Sequence, residues 1–311
     1  MTITRRTALA TGLAGLSLPL LGAAQAPEYY RRRIGDIEVT IVADGIGYSP
    51  LEGLVINAPL PDVQQAMGEV FLPQDRFVTS YNTLIVNTGG KIVVFDTGFG
   101  DSGPPTAGRW LANFRAAGFD PATVDVVVLT HFHPDHINGY RMKDGTAVFP
   151  RAQTMAPAPE FAFWMDESKT STGTKRTQDN ARNVHRVLDP AAKDITLFEW
   201  DREIVPGVTA IAAPGHTPGH TVFAIASGSE SMLWMVDVTN NTDLLLRHPD
   251  WSPLFDVDPD KARETRHRLV DRAVADRMLV GFYHAPFPST GHVVKDGAGY
   301  ALIPVTWSPV L

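Results

Sequence analysis

The sequence predicts a layered α/β fold, and three observations predict it. Runs with strand character alternate along the chain with runs of helical period. A continuous apolar segment, Val124–Leu129, reads as a strand buried on both faces. Polar, metal-ligating side chains stand directly at the ends of such runs, where open α/β folds place their chemistry.

Taken in chain order, residues 1–26 read as a targeting segment rather than part of the domain. Thr4-Arg5-Arg6 precedes an apolar run from Ala8 to Leu21, too short for a membrane span, and small residues follow in Gly22-Ala23-Ala24-Gln25-Ala26. Charged start, apolar middle and small-residue end form a signal peptide pattern, and the paired arginines point to the twin-arginine type. The expectation is therefore a periplasmic or secreted domain of residues 27–311, with no membrane anchor once the signal is cleaved near Ala24.

Asn82–Val86 and Lys91–Phe95 flank Asn87-Thr88-Gly89-Gly90 and read as a β-hairpin that delivers Asp96-Thr97-Gly98 at its end. Pro105–Ala117 carries Trp110, Leu111 and Phe114 at helical spacing, with Gly118 as the stop. Further strands are expected at Val208–Ala212, His220–Ala226, Met232–Val236 and Met278–Val280. Helices are expected at Pro159–Met165, Asn180–Leu188 and Asp260–Val274, while Asp166–Asp179 has no apolar period and reads as a loop.

Composition narrows the chemistry. With 44% hydrophobic and 20% charged residues, the chain is an ordinary globular protein rather than a disordered one. The 27 basic residues against 34 acidic give a formal charge of −7, and loss of Arg5 and Arg6 with the signal leaves 25 against 34, or −9. No basic stripe is present to neutralise phosphates, which argues against a nucleic-acid partner and against a metal-dependent nuclease. The absence of cysteine excludes disulfides, thiolate nucleophiles and thiolate metal ligands. A metal site must then be built from imidazole and carboxylate.

His131-Phe132-His133-Pro134-Asp135-His136 places three histidines and an aspartate within six residues, immediately after the buried strand. His131 and His133, two apart in extended chain, point to the same side. Pro134 turns the chain, so Asp135 and His136 can face a second ion. Three later residues occupy matching positions: His216 in Pro214-Gly215-His216-Thr217-Pro218-Gly219-His220, Asp237 after the strand Met232–Val236, and His284 after the strand Met278–Val280. Each is a polar group at the end of a buried strand, costly there unless partnered.

This series resembles the metallo-β-lactamase superfamily, and within it the methyl parathion hydrolase and lactonase branch, over roughly residues 80–307. The resemblance implies an αββα sandwich with the metals at the edge of the two sheets. It implies that His131, His133 and His216 hold one divalent ion, that Asp135, His136 and His284 hold the other, and that Asp237 bridges them. Zinc suits five histidines with two carboxylates best, and iron, manganese or cobalt can occupy the same cage. Asp96 is expected to orient the histidine loop as a hydrogen-bond acceptor, and neither it nor His220 is expected to be a ligand. His292 is expected to be structural, and His185, His248 and His267 to be exposed. A homodimer is the expected assembly.

The implied function is hydrolysis of small esters or lactones, with phosphotriesters as a side activity, by a hydroxide bridging the two metals. Asp135 and Asp237 are the candidate catalytic carboxylates that shuttle the leaving group's proton. Asp237 argues against the β-lactam-cleaving members, where a bridging carboxylate at this place is not usual. An acyl-homoserine lactonase is the alternative, for which a tyrosine is expected three residues after Asp237; Asn240 stands there. Phe99 and Trp164 are candidate pocket aromatics together with Asn240, although the organophosphate branch expects a further aromatic where Asp101-Ser102-Gly103-Pro104 stands. A non-catalytic exported metal-binding protein is a second class of reading, and the complete ligand set argues against it.

Overall fold

Alternation of side chains along each strand decides how the layers stack. In the computed structural model, which describes residues 28–306 and 308, the first sheet runs in spatial order through β1 (Tyr29–Ile34), β2 (Ile37–Pro50), β3 (Arg76–Thr88), β4 (Lys91–Phe95), β5 (Val126–Val128), β6 (Gln153–Pro157) and β7 (Thr196–Phe198). The second holds β8 (Arg202–Val205), β9 (Val208–Ala212), β10 (Thr221–Ser227), β11 (Glu230–Trp234), β12 (Leu279–Gly281), β13 (Thr290–Asp296) and β14 (Gly299–Pro304). Val93, Phe95, Val126 and Val128 point into a core shared with Phe223, Ile225, Met232 and Trp234 of the facing sheet. Val94 and Val127, the residues between them, point the other way into a second core.

Helices cover those outer faces. Trp110 and Phe114 of α2 (Trp110–Ala116), Trp164 of α4 (Ala158–Trp164) and Ala181, Val184, Val187 and Leu188 of α5 (Lys175–Leu188) pack on the first sheet. Leu269, Val270 and Ala273 of α6 (Pro259–Ala275) pack on Val222, Leu233 and Val280 of the second. The layers are therefore helix, sheet, sheet, helix, as expected. The helix α1 (Leu60–Glu69) stands apart, in a cluster with Leu51, Leu54, Phe77, Leu244 and Leu245. The signal segment expected over residues 1–26 lies outside the described residues.

Three expectations about elements need correction. The helix over Pro105–Ala117 begins only at Trp110, because Gly108 has φ +81 and the Asp44 carboxylate receives the Trp110 N–H at 2.8 Å, fixing the start. The loop expected over Asp166–Asp179 ends early: Thr174 caps Thr177 N, and α5 starts at Lys175 with a Lys175–Asp179 pair at 2.7 Å. That first turn is exposed, so no apolar period marks it. The hairpin stands where read, but its first strand is longer: β3 starts at Arg76 and pairs along the fourteen-residue β2 through a bulge between Ala43 and Gly45. The alternation there is interrupted by Asp44 and Gly45, which hides the strand from a period-two reading.

Phe223 sits at the centre of the inter-sheet layer, fully buried, with its ring 4.8 Å from that of Phe95 and 6.3 Å from that of Phe198. Phe223→Ala should destabilise the fold by about 3–5 kcal/mol, read as a lowered urea midpoint at unchanged slope.

Candidate metal centre

Buried strands aim the ligand loops at one end of the sandwich. β4 ends at Asp96, whose backbone has φ +63, and Gly98 follows at φ +69 with the Asp44 carboxylate so close that an added Cβ would stand 2.8 Å from its Cγ. β5 ends two residues before Thr130, and His133 then caps the one-turn helix α3 (Pro134–Ile137), with Pro134 at its first position. Val236, after β11, adopts φ +50, a costly conformation for a β-branched residue, and passes the chain to Asp237.

The seven side chains singled out in the sequence converge there. Nε2 of His131 lies 3.1 Å from Nδ1 of His133, which lies 2.9 Å from Nε2 of His216. On the other side, Oδ2 of Asp135 lies 3.4 Å from Nε2 of His136 and 3.5 Å from Nε2 of His284. Asp237 stands between the two groups. Its Oδ2 is 3.2 Å from His216 and 2.8 Å from His284, and its Oδ1 is 3.3 Å from His136.

The second nitrogen of most rings is already committed elsewhere, which settles what each presents inward. His136 Nδ1 donates to Asp96 Oδ2 at 2.8 Å, His216 Nδ1 to Asp256 Oδ1 at 2.9 Å, and His284 Nδ1 to the Ser80 carbonyl at 2.8 Å. His131 Nδ1 faces the Thr130 hydroxyl at 3.1 Å, and that hydroxyl donates to Asp96. Each of these rings therefore turns Nε2, the nitrogen left for a proton or a metal, toward the centre. Nε2 of His136 and Oδ1 of Asp237 are buried with no hydrogen-bond partner, and converging lone pairs of this kind call for a cation. Nitrogen and carboxylate donors in two groups sharing one aspartate fit two divalent ions, zinc foremost.

His220 also approaches His131 and Asp237, but both of its nitrogens are used: Nδ1 donates to the Ala213 carbonyl at 2.9 Å and Nε2 receives the Asp237 N–H at 3.1 Å. Burial beside His216 lowers its pKa to about 3, so it is a neutral spacer. Burial opposes charge on His136 and His216 as well, but there the carboxylates win. Asp237, Asp135 and Asp96 raise His136 well above its ordinary value, and Asp237 with Asp256 raises His216 to about 9. The same contacts hold Asp237 well below the usual carboxylate range despite its burial.

Two supporting carboxylates were not legible in the sequence. Asp256 backs His216 and pairs in turn with the buried Arg266 at 3.5 Å, whose guanidinium donates to the carbonyls of Val238, Pro249 and Trp251. Glu160 straps two ligand loops together, accepting from Phe132 N at 2.8 Å, Gly219 N at 2.8 Å and Trp164 Nε1 at 2.7 Å. Trp164 is accordingly no pocket aromatic: its indole N–H is drawn inward by Glu160, and the buried ring backs His133 at 6.4 Å. Phe99 and Asn240 do line the cavity beside the centre, with Tyr81, Thr79, Ser49, Arg176 and Phe255. Asn240 donates to Asp237 Oδ2 at 3.1 Å. The cavity measures about 180 Å³.

Three outlying histidines are half-buried rather than exposed, each with a partner: His185 on Asp189 at 2.9 Å, His267 on Asp250 at 2.8 Å, and His248 stacked on Trp251 at 4.1 Å. His292 is exposed on β13 and donates to the Met278 carbonyl at 3.0 Å.

Residues 76–284 match the family model of the Metallo-beta-lactamase superfamily. The crystal structure of hydrolase AbOPH in the beta lactamase superfamily superposes with a TM-score of 0.84 at 27% identity, over 91% of this chain and 99% of that one. AidC, a dizinc quorum-quenching lactonase in complex with a product, superposes at 0.85 over 90% and 98%, and at 24% identity shows the shared fold. The N-acyl homoserine lactonase AiiA of Bacillus thuringiensis subsp. kurstaki is 23% identical over 171 residues, 55% of this chain; the chain spans 59% of that relative's length.

Two outcomes test the centre. Asp256→Ala should weaken divalent-metal affinity about 10–100-fold in a chelator competition, with the His216 ring left without its acceptor. Because His216 carries a proton up to about pH 9 in the metal-free protein, metal must displace it, and zinc affinity should rise with pH up to about 9. A flat profile would count against His216 as a ligand.

Proposed function

The chain belongs to the metallo-β-lactamase superfamily, and we propose that within it the protein is an exported, dinuclear-metal hydrolase that opens lactones and small esters, with acyl-homoserine lactones the first class to test. The observation that carries the reading is Asp237, shared between two ligand groups at the floor of an open cavity. Lactonases among the relatives favour lactones over other acyl substrates. Asn240 argues for a pocket chemistry of its own, since its amide is turned to Asp237 rather than offering a phenol.

His131, His133 and His216 would hold one ion, Asp135, His136 and His284 the other, and Asp237 both. Two divalent ions so held would supply acidity to water near neutral pH and draw charge from a carbonyl oxygen. The two carboxylates then divide the work by environment. Asp237, 2% exposed at its side chain and ringed by His216, His284 and Asn240, stays ionised and fixed. Asp135, 15% exposed, reaches the cavity. It can take the proton of the water that adds to the carbonyl carbon and return it to the departing alkoxide as the ring opens. Phe99 and Tyr81, packed edge to face at 5.0 Å, make the apolar wall against which an acyl chain lies.

Export belongs to this proposal on the pattern of residues 1–26 alone. The deciding experiment sets γ- and δ-lactones, acyl-homoserine lactones, aryl esters and phosphotriesters side by side with the metal-loaded protein. Lactones should be turned over fastest, and Asp237→Ala should lose both metal and turnover, the latter to background. Two metals firmly bound with no hydrolysis of any of these would overturn the reading.

A further inference from the structure

The cavity over the metal centre has a charge imbalance that the reaction does not use. Its two carboxylates, Asp135 and Asp237, are both turned to imidazole nitrogens of the centre. Apart from those ligand residues its wall is neutral, with one exception, Arg176. This residue stands in the first turn of α5 with its guanidinium 5.2 Å from the centroid of the Phe255 ring, another part of the wall.

Among the described residues no carboxylate pairs with Arg176, whereas the cations around it are neutralised. Lys175 and Arg182 share Asp179, at 2.7 and 2.5 Å. Partial burial lowers the pKa of Arg176, and a guanidinium remains charged at any working pH regardless. The side chain also lines an adjoining groove of about 400 Å³ together with His133, Pro134, Asn180 and Asp179, whose carboxylate is taken by Lys175 and Arg182. It therefore borders both the reaction cavity and the space into which a longer substrate would extend. A planar fork with free donors at such a border matches a carboxylate, whose two oxygens it can bind side by side.

We propose that Arg176 is a specificity-determining residue, selecting esters and lactones whose acyl chain ends in a carboxylate. The inference rests on the hydrolase reading of the same site and names its substrate class. The carbonyl would lie at the centre, the chain along Phe99 and Phe255, and the distal carboxylate on the guanidinium, away from the bonds that change.

The test compares two isosteric esters, the p-nitrophenyl monoester of glutaric acid and p-nitrophenyl 5-methylhexanoate, on metal-loaded wild type, Arg176→Gln and Arg176→Lys. Wild type should favour the anionic ester in kcat/KM. Arg176→Gln should lower the anionic-to-neutral ratio about ten- to a hundredfold, and Arg176→Lys should fall between, keeping charge but not the fork. A ratio within about twofold in wild type and Arg176→Gln overturns the proposal. If wild type turns over neither ester, the hydrolase reading is judged on the lactone series, and glutarate binding by calorimetry decides the anion site by itself. Roughly tenfold weaker binding to Arg176→Gln than to wild type upholds the anion site, and equal binding overturns it.

Discussion

A single buried carboxylate, Asp96, holds the ligand loop in place. A carboxylate with no exposed surface is tolerated only where its oxygens find donors, and Asp96 finds them all in the segment that follows β5. Thr130 gives it a backbone N–H and a hydroxyl, each at 2.8 Å, and His136 gives a ring N–H. Through Thr130 it orients His131, and directly it orients His136, so one acceptor sets a ring in each ligand group. Burial pushes its pKa up and the His136 and Thr130 contacts pull it down, which ties its ionisation to the loop's being folded.

Glu160 and Asp256 extend the same logic across the molecule. Each is a buried acceptor that cannot be left alone, and each reaches beyond its own element for a donor in a ligand loop. Glu160 ties the His131–His136 loop to Gly219, and Asp256 ties His216 to Arg266 of α6. Strain at Val236 belongs to this frame as well. Its φ of +50 is sustained because Met235 N donates to the Gly281 carbonyl, the Val236 carbonyl accepts from Tyr283 N, and Asp237 N is held by His220.

Much of this was legible beforehand for identifiable reasons. The runs Val124–Leu129 and Val208–Ala212 are apolar enough to declare themselves strands, and residues at their ends declare themselves ligands by type and spacing. What escaped depends on distance or on exposure. Glu160 lies 28 residues from Phe132 and 59 from Gly219, and Asp256 lies 40 from His216, so no local pattern connects them. Trp164 was misplaced because aromatic type alone does not reveal an indole N–H satisfied by a carboxylate one helical turn away. The first turn of α5 escaped because its buried face begins only at Asn180 and its apolar residues at Ala181.

The ligands come from loops of both sheets, with His131 through His136 following the first and His216, Asp237 and His284 belonging to the second. Ions held there would act as rivets across the seam of the sandwich. Each would add its binding free energy to the cohesion of the two halves, about 2.7 kcal/mol at a hundredfold excess over Kd. Scarcity of metal would then idle the site and loosen the hold between the layers together.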